Sequence, residues 1–358
     1  MTNAYRQHSS PQIDRMNQLN NGFTLFLSLL VEAMPFLLLG VIFSGVLLLF
    51  IDEGKLSKSM PQNPLLGALA GSLVGFLFPV CECGNVPVAR RLLIQGVPTP
   101  VAIGFLLAAP TINPIVIWAT WTAFRDQPEI VVLRVLFSLT IATIVGWVFS
   151  VQTDLRPILQ QQVANLIPAP KQRVAWANTS LPEEPIPALL QSGTFLLTQP
   201  GQVMRMDAAT FAGNSGFLST NKPTKYRLRL FLDNTVQELR ELGAVLVVGS
   251  AIAATIQVLI PREVILGLGQ SPVTSILAMM VLAAVVSICS TVDSFFALSF
   301  ASVFTPASVL AFLVFGPMID LKAIGLMLSI FKSRAVIYFL GLAALLTFLF
   351  TLLYQIAY

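Results

Sequence analysis

The sequence predicts an all-α integral membrane protein, with about eight transmembrane helices in two repeat-related halves and broken or re-entrant segments in each. Three observations carry that expectation. Hydrophobic residues make up 55% of the 358 positions and charged residues only 11%, against about 25% charged in soluble domains. Eight stretches contain no Asp, Glu, Lys or Arg and approach or exceed the ~20 residues that cross a bilayer as a helix. Short polar motifs with prolines interrupt these stretches and recur in order along the chain.

Residues 1–22 are polar and show no signal-peptide pattern, so they read as a tail, with the first helix acting as an uncleaved signal. The first membrane half, residues 23–151, holds the charge-free runs Ala33–Ile51, Ser59–Cys81, Leu92–Phe124 and Val135–Thr153. The run Leu92–Phe124 has 33 residues, too many for one plain span of ~20, and predicts a re-entrant piece followed by an interrupted helix. Residues 152–229 form a polar, proline-punctuated loop with eight basic and four acidic residues, the composition of a disordered tether. Basic residues near its ends, Arg156 and then Lys222, Lys225, Arg227 and Arg229, place it in the cytoplasm. Four spans per half would put both termini there too, an orientation that Lys332 and Arg334 oppose. The second half, residues 230–358, holds the runs Leu242–Pro261, Val264–Val292, Ser294–Ile319 and Ala335–Tyr358.

The halves align with each other. Glu32 and Gly40 match Glu241 and Gly249, and Thr99-Pro100 matches Thr305-Pro306. Cys81, Cys83 and Asn85 match Cys289, Thr291 and Asp293, and Phe105–Asn113 matches Phe312–Asp320. The offset stays between 206 (Thr99 to Thr305) and 209 (Glu32 to Glu241). Repeats with broken helices hold transporter sites near the bilayer midplane, at their interface. Pro79, Pro110, Pro114 and Pro317 are the expected helix breakers, since proline removes a backbone donor and clashes with the preceding turn. The segment Pro110–Pro114 should therefore unwind within the membrane.

All three cysteines lie in the matched breaks. Cys81 and Cys83, with Cys289 from the facing half, could present soft ligands to a solute or metal, because thiolates select thiophilic centres. Packing as small hydrophobes is the alternative. Asn85 and Asn113 are candidate solute contacts beside the thiols. Asp293, Asp320 and Glu32 are ionisable groups at membrane depth, functional candidates by default. Burial disfavours a carboxylate's charge, so such a group can exchange a proton as access alternates; helix capping is the competing role. Arg90 and Arg91 would pair with Glu82 or reach toward lipid headgroups. His8 is the one histidine, so thiol catalysis lacks a base, and no phosphate-binding loop is present. No enzyme activity, cofactor or nucleic-acid partner is expected.

Pro79-Val-Cys-Glu-Cys-Gly-Asn-Val-Pro-Val-Ala-Arg90, Gly96-Val-Pro98 and Phe105-Leu-Leu-Ala-Ala-Pro-Thr-Ile-Asn-Pro114 resemble the predicted permease family that includes ArsP and YraQ. Cys289-Ser-Thr-Val-Asp293 and Leu310–Lys322 agree in the second half. The resemblance implies an inner-membrane permease of eight helices, with the ArsP branch exporting trivalent organoarsenicals. Cys81-Glu82-Cys83-Gly84 stands where the family has Cys-Ser-Cys-Gly, which sets a carboxylate between the thiols. The expectation is a secondary permease exporting a soft, thiol-reactive solute across the lipid bilayer. A permease for an unrelated small solute, or a thiol-redox membrane protein, are the alternatives.

Overall fold

The computed structural model describes residues 11–50, 61, 63–78, 81–150, 159, 160, 163, 195–199, 202–205, 224–259, 271–301 and 303–357. Pro79 lies outside them, as does most of the central loop. The described helices before the loop are α1 (Pro11–Phe50), α2 (Pro64–Leu77), α3 (Glu82–Ile94), α4 (Thr99–Ile112), α5 (Pro114–Ala123) and α6 (Pro128–Ser150). Those after it are α7 (Thr224–Leu259), α8 (Pro272–Val286), α9 (Asp293–Leu298), α10 (Pro306–Met318), α11 (Leu321–Leu328) and α12 (Ser333–Ala357). The two sets follow the same order of long and short helices. Within the loop, β1 (Phe195–Gln199) and β2 (Gln202–Arg205) form a short antiparallel hairpin. Helix α1 already starts at Pro11, inside the polar stretch expected as a tail.

Among the described residues six segments are long and apolar enough to cross a membrane: Asn20–Val46, Thr99–Ala123, Pro128–Ser150, Phe231–Val258, Pro306–Leu328 and Ser333–Ala357. Helices α2 and α8 are apolar but shorter. Three of the four charge-free runs in each half therefore contribute a candidate span, and the fourth contributes α2 or α8. Trp118, Trp121, Trp147 and Tyr338 are exposed, as suits amphipathic rings near a membrane interface.

Proline opens many of these helices. Pro64, Pro114, Pro128, Pro272 and Pro306 each stand first, where the missing N–H costs nothing and φ is already helical. Pro110 and Pro317 behave differently from expectation: both sit inside helices, near the ends of α4 and α10. The chain breaks just after them, at Asn113 and at Ile319–Asp320. Pro110 can sit there because the carbonyl it leaves unbonded, four residues back at Leu106, accepts from Asn85 Nδ2 at 2.5 Å. Asn113 and Asp320 then restart the helix. Asn113 Oδ1 accepts from Ile115 N–H at 2.9 Å, and Asp320 Oδ1 from Ala323 N–H at 2.5 Å.

Side-chain contacts set the helix directions. Helices α1 and α7 are antiparallel, with Gly22 beside Val258 and Ser44 donating to Glu238 at 3.1 Å. So are α6 and α12, where ring centroids lie 4.1 Å apart for Phe149–Phe339 and 5.5 Å for Phe137–Phe350. Helices α2 and α4 are parallel, joined at Gly67–Val101 and Gly75–Ala109. Glycine lets those backbones touch, since a Cβ on Gly71 would run into the Val101 carbonyl. For α2 and α4 to be parallel, α3 must run back between them, so α2 and α3 form a re-entrant hairpin. In the second set Ala283 of α8 meets Gly316 of α10 in the same way, and the chain returns through α9. Across the halves α1 packs on α7, α4 on α10, α6 on α12, α3 on α11 and α5 on α9. One hydrophobic cluster runs through both sets.

The loop is anchored at its start. Gln160 N–H donates to the Ile330 carbonyl at 2.8 Å, and buried Leu159 bridges to Phe331. The start of α12 therefore lies on the loop's side of the protein.

A buried thiol and carboxylate site between the hairpin tips

The two hairpin tips share one local geometry. The Cys81 carbonyl accepts from Gly84 and Asn85 N–H at 3.0 and 3.2 Å, and the Cys289 carbonyl from Val292 and Asp293 at 2.9 and 3.0 Å. Each cysteine thus opens a tight turn with its side chain directed at the other half. All three cysteines are free and buried. The Cys81 thiol interacts with those of Cys289 and Cys83. Cys81 Sγ, Cys289 Sγ and a Glu82 carboxylate oxygen lie within 4.8 Å of one another, close enough to ligate one ion. Thr291 Oγ1 donates to Cys289 Sγ at 3.7 Å. The fold brings Cys81 and Cys289 together from opposite halves, with Glu82 as the third donor.

Glu82 is 2% exposed and neither of its oxygens has a hydrogen-bond partner among the described residues. Lys322 Nζ lies 3.9 Å from one of them, itself 1% exposed and likewise without a hydrogen-bond partner among the described residues. Lys322 belongs to α11, which Asp320 caps, and the Ser287 hydroxyl ties α11 to the second tip by accepting from Leu321 N–H at 3.1 Å.

A second buried charge pair joins the halves. Arg134 of α6 binds Asp293 through two bonds of 2.6 and 3.2 Å, and also donates to Thr120 at 2.7 Å and Ser294 at 2.9 Å. A bidentate guanidinium–carboxylate pair is a strong, directional contact. Both Asp293 oxygens are engaged. Asn85, which matches Asp293 in the alignment, serves α4 instead, as described above. Arg90 pairs with Glu241 at 3.2 Å and not with Glu82.

Glu32 lies outside the Cys81, Glu82 and Cys289 donor group. It lines a cavity of about 350 Å³ with Ser28, Gln257, Ile288, Val292 and Phe296. Ile288 and Val292 flank Cys289, so the cavity leads to the second tip.

Sequence reasoning passed over Arg134 and Lys322. Arg134 stands just before the charge-free run that begins at Val135, and Lys322 just past Asp320, which closes another. The signal available was the helix start: proline at 128 puts Arg134 nearly two turns inside α6.

An all-helical bundle of apolar spans, with two re-entrant hairpins meeting at buried polar groups, defines a membrane transporter. The chain matches the predicted permease family ArsP_1 over residues 18–356. It is 36% identical to the UPF0718 protein YcgR of Bacillus subtilis (strain 168) over 319 residues, 89% of this chain and 90% of that protein. It is 32% identical over 329 residues to a Streptococcus mutans protein named "putative two-component membrane permease complex subunit", covering 92% and 93%. No solved structure matches. The protein belongs to this predicted permease family and is a multi-pass integral protein of the bacterial plasma membrane.

Proposed function

We propose that this permease is a secondary transporter exporting a soft, thiol-binding solute, with trivalent arsenicals in that class. The observation that carries the reading is the meeting of Cys81 and Cys289, one from each hairpin tip, beside Glu82. A site split between halves is made and unmade when the halves rock, and thiolates favour thiophilic centres. Cys83 is a further thiol at its edge. For proton exchange we favour Glu32, which lines the cavity, over Asp293 and Asp320, which hold Arg134 and the α11 cap. The test is accumulation of methylarsenite, arsenite and Zn(II) in cells expressing wild type or Cys81→Ser/Cys289→Ser. Lower accumulation of one solute, abolished by the double variant, is expected. Equal accumulation in expressing and control cells would overturn the reading.

We read residues 23–151 and 230–358 as inverted repeats. Matched helices α1 and α7, and α6 and α12, pack antiparallel, the arrangement that a two-fold axis in the membrane plane generates. Three spans per half then put the termini on the face opposite the central loop. The anchoring of Leu159 on Phe331 moves Lys332 and Arg334 to the loop's side, so the basic residues agree on a cytoplasmic loop and external termini. A C-terminal alkaline phosphatase fusion should be active and a C-terminal green fluorescent protein fusion dark. The reverse result would exclude three spans per half with a cytoplasmic loop. The streptococcal relative's name extends the proposal to a second membrane subunit, which co-purification from native membranes tests.

A further inference from the structure

We infer that the cargo is a doubly charged thiophilic cation, Zn(II) or a metal of its kind, and that Lys322 is the internal cation that faces Glu82 when no cargo is bound. This rests on the thiol-site reading above and narrows it. A neutral arsenical needs sulfur donors alone and has no use for Glu82. The Cys81, Glu82 and Cys289 donors instead form a mixed sulfur and oxygen set, spread over 4.8 Å. Zinc bonds of ~2.3 Å to sulfur and ~2.0 Å to oxygen would hold such donors about 3.5–3.8 Å apart, so a modest closure completes the site. Three protein donors leave a fourth position open. That suits an ion in passage, whereas structural zinc sites close all four.

The charges around this set are placed for exchange. Glu82 and Lys322 are buried opposite charges 3.9 Å apart, yet neither makes a hydrogen bond among the described residues. A buried ion pair that is not hydrogen-bonded is held weakly for what its desolvation costs. Lys322 also faces Asp320 at Coulombic range. Asp320 Oδ1 is taken by the Ala323 cap, but Oδ2 has no hydrogen-bond partner among the described residues. Asp320 is thus a second carboxylate near Lys322 besides Glu82. When the cation enters, Cys81 and Cys289 give up their two thiol protons to solvent and form two metal–sulfur bonds. Glu82 supplies the third bond, and the Lys322 ammonium moves to Asp320. One divalent ion replaces two protons, so the net charge of the buried site is unchanged. On release the two thiols regain their protons and Lys322 returns to Glu82.

Co(II) binding to the purified full-length protein tests this, because sulfur-to-cobalt absorption reports thiolate ligation directly. Wild type should bind one Co(II) per chain with a two-thiolate band that Zn(II) abolishes. Lys322→Met removes the competing cation and should tighten binding about tenfold. Asp320→Asn leaves Lys322 committed to Glu82 and should weaken binding about tenfold. It should keep the α11 cap, because Asn113 caps α5 in the same way. The double variant Asp320→Asn/Lys322→Met should bind like Lys322→Met, since Asp320 acts through the lysine. Equal weakening by Asp320→Asn with and without Lys322 would overturn the handover. Should Lys322→Met aggregate, Asp320→Asn decides alone, and unchanged Co(II) affinity would overturn the inference. Methylarsenite protecting the thiols from alkylation, with no Co(II) band, would sink the cation reading and leave the thiol site standing. Protection by neither would sink both.

Discussion

In the first re-entrant hairpin the chain returns through α3, 13 residues long, whereas in the second it returns through α9, only 6 residues, followed by turns at residues 299–301. Helix α3 is buried along most of its length and lies tight on α1, where a Cβ on Gly40 would strike the Gly84 backbone. Its partner in the alignment, Gly249, touches α11 with ordinary clearance, 3.6 Å from an added Cβ to Lys322 Cα. The second hairpin borders the Glu32 cavity; the first is held by α1 and by the Arg90–Glu241 pair. Two segments related in sequence thus take unequal packing. Under the proposed rocking of the halves, unequal packing of this kind would leave one hairpin sealed and the other free to move.

The comparison can be broken most severely at the second hairpin's tie to the first half. Arg134→Met would leave Asp293 buried without its partner, a loss of about 3–5 kcal/mol. Thermal unfolding in detergent, followed with a thiol-reactive dye that the three buried cysteines admit only on opening, should show a large fall in midpoint. Arg134→Met/Asp293→Leu should recover much of it. A single variant as stable as wild type would mean that the pair does not join the halves.

Gly40→Ala and Gly249→Ala sharpen the contrast directly. The first forces α1 and α3 apart and should cost ~1–3 kcal/mol. The second adds a methyl where there is room and should be neutral, or gain up to ~1 kcal/mol from better helix propensity. Equal effects in the same unfolding assay would erase the proposed asymmetry. Asn85→Ala should cost ~1–3 kcal/mol by stranding the Leu106 carbonyl that Pro110 leaves free. Pairing it with Pro110→Ala, which restores that carbonyl's own helical donor, should remove most of the loss. The smallest effect belongs to the α5 cap. Asn113→Ala should cost about 1 kcal/mol, and a near-zero cost would show that α5 restarts without side-chain help.

Much of the architecture was legible from residue types, because apolar length and proline position act locally. Charge-free runs marked the helices, and Asn113-Pro114 and Asp320 marked where two of them restart. Pro110 misled because its cost depends on who takes the stranded carbonyl, and Asn85, far back in the sequence, does so. Asp293 and Glu32 looked alike as intramembrane acids. Only packing separates them: one is locked to Arg134, the other lines a cavity.

By itself the sequence determined the membrane class, the permease family and the matched polar breaks, since hydropathy and local backbone chemistry need no long-range contact to be read. Tertiary structure alone decided that Cys81 and Cys289 meet, that Lys322 faces Glu82 and that matched helices run antiparallel. Those are contacts across roughly two hundred residues of chain. Periodicity and composition carry no record of which side chains such distances bring together; helix direction and close backbone packing do.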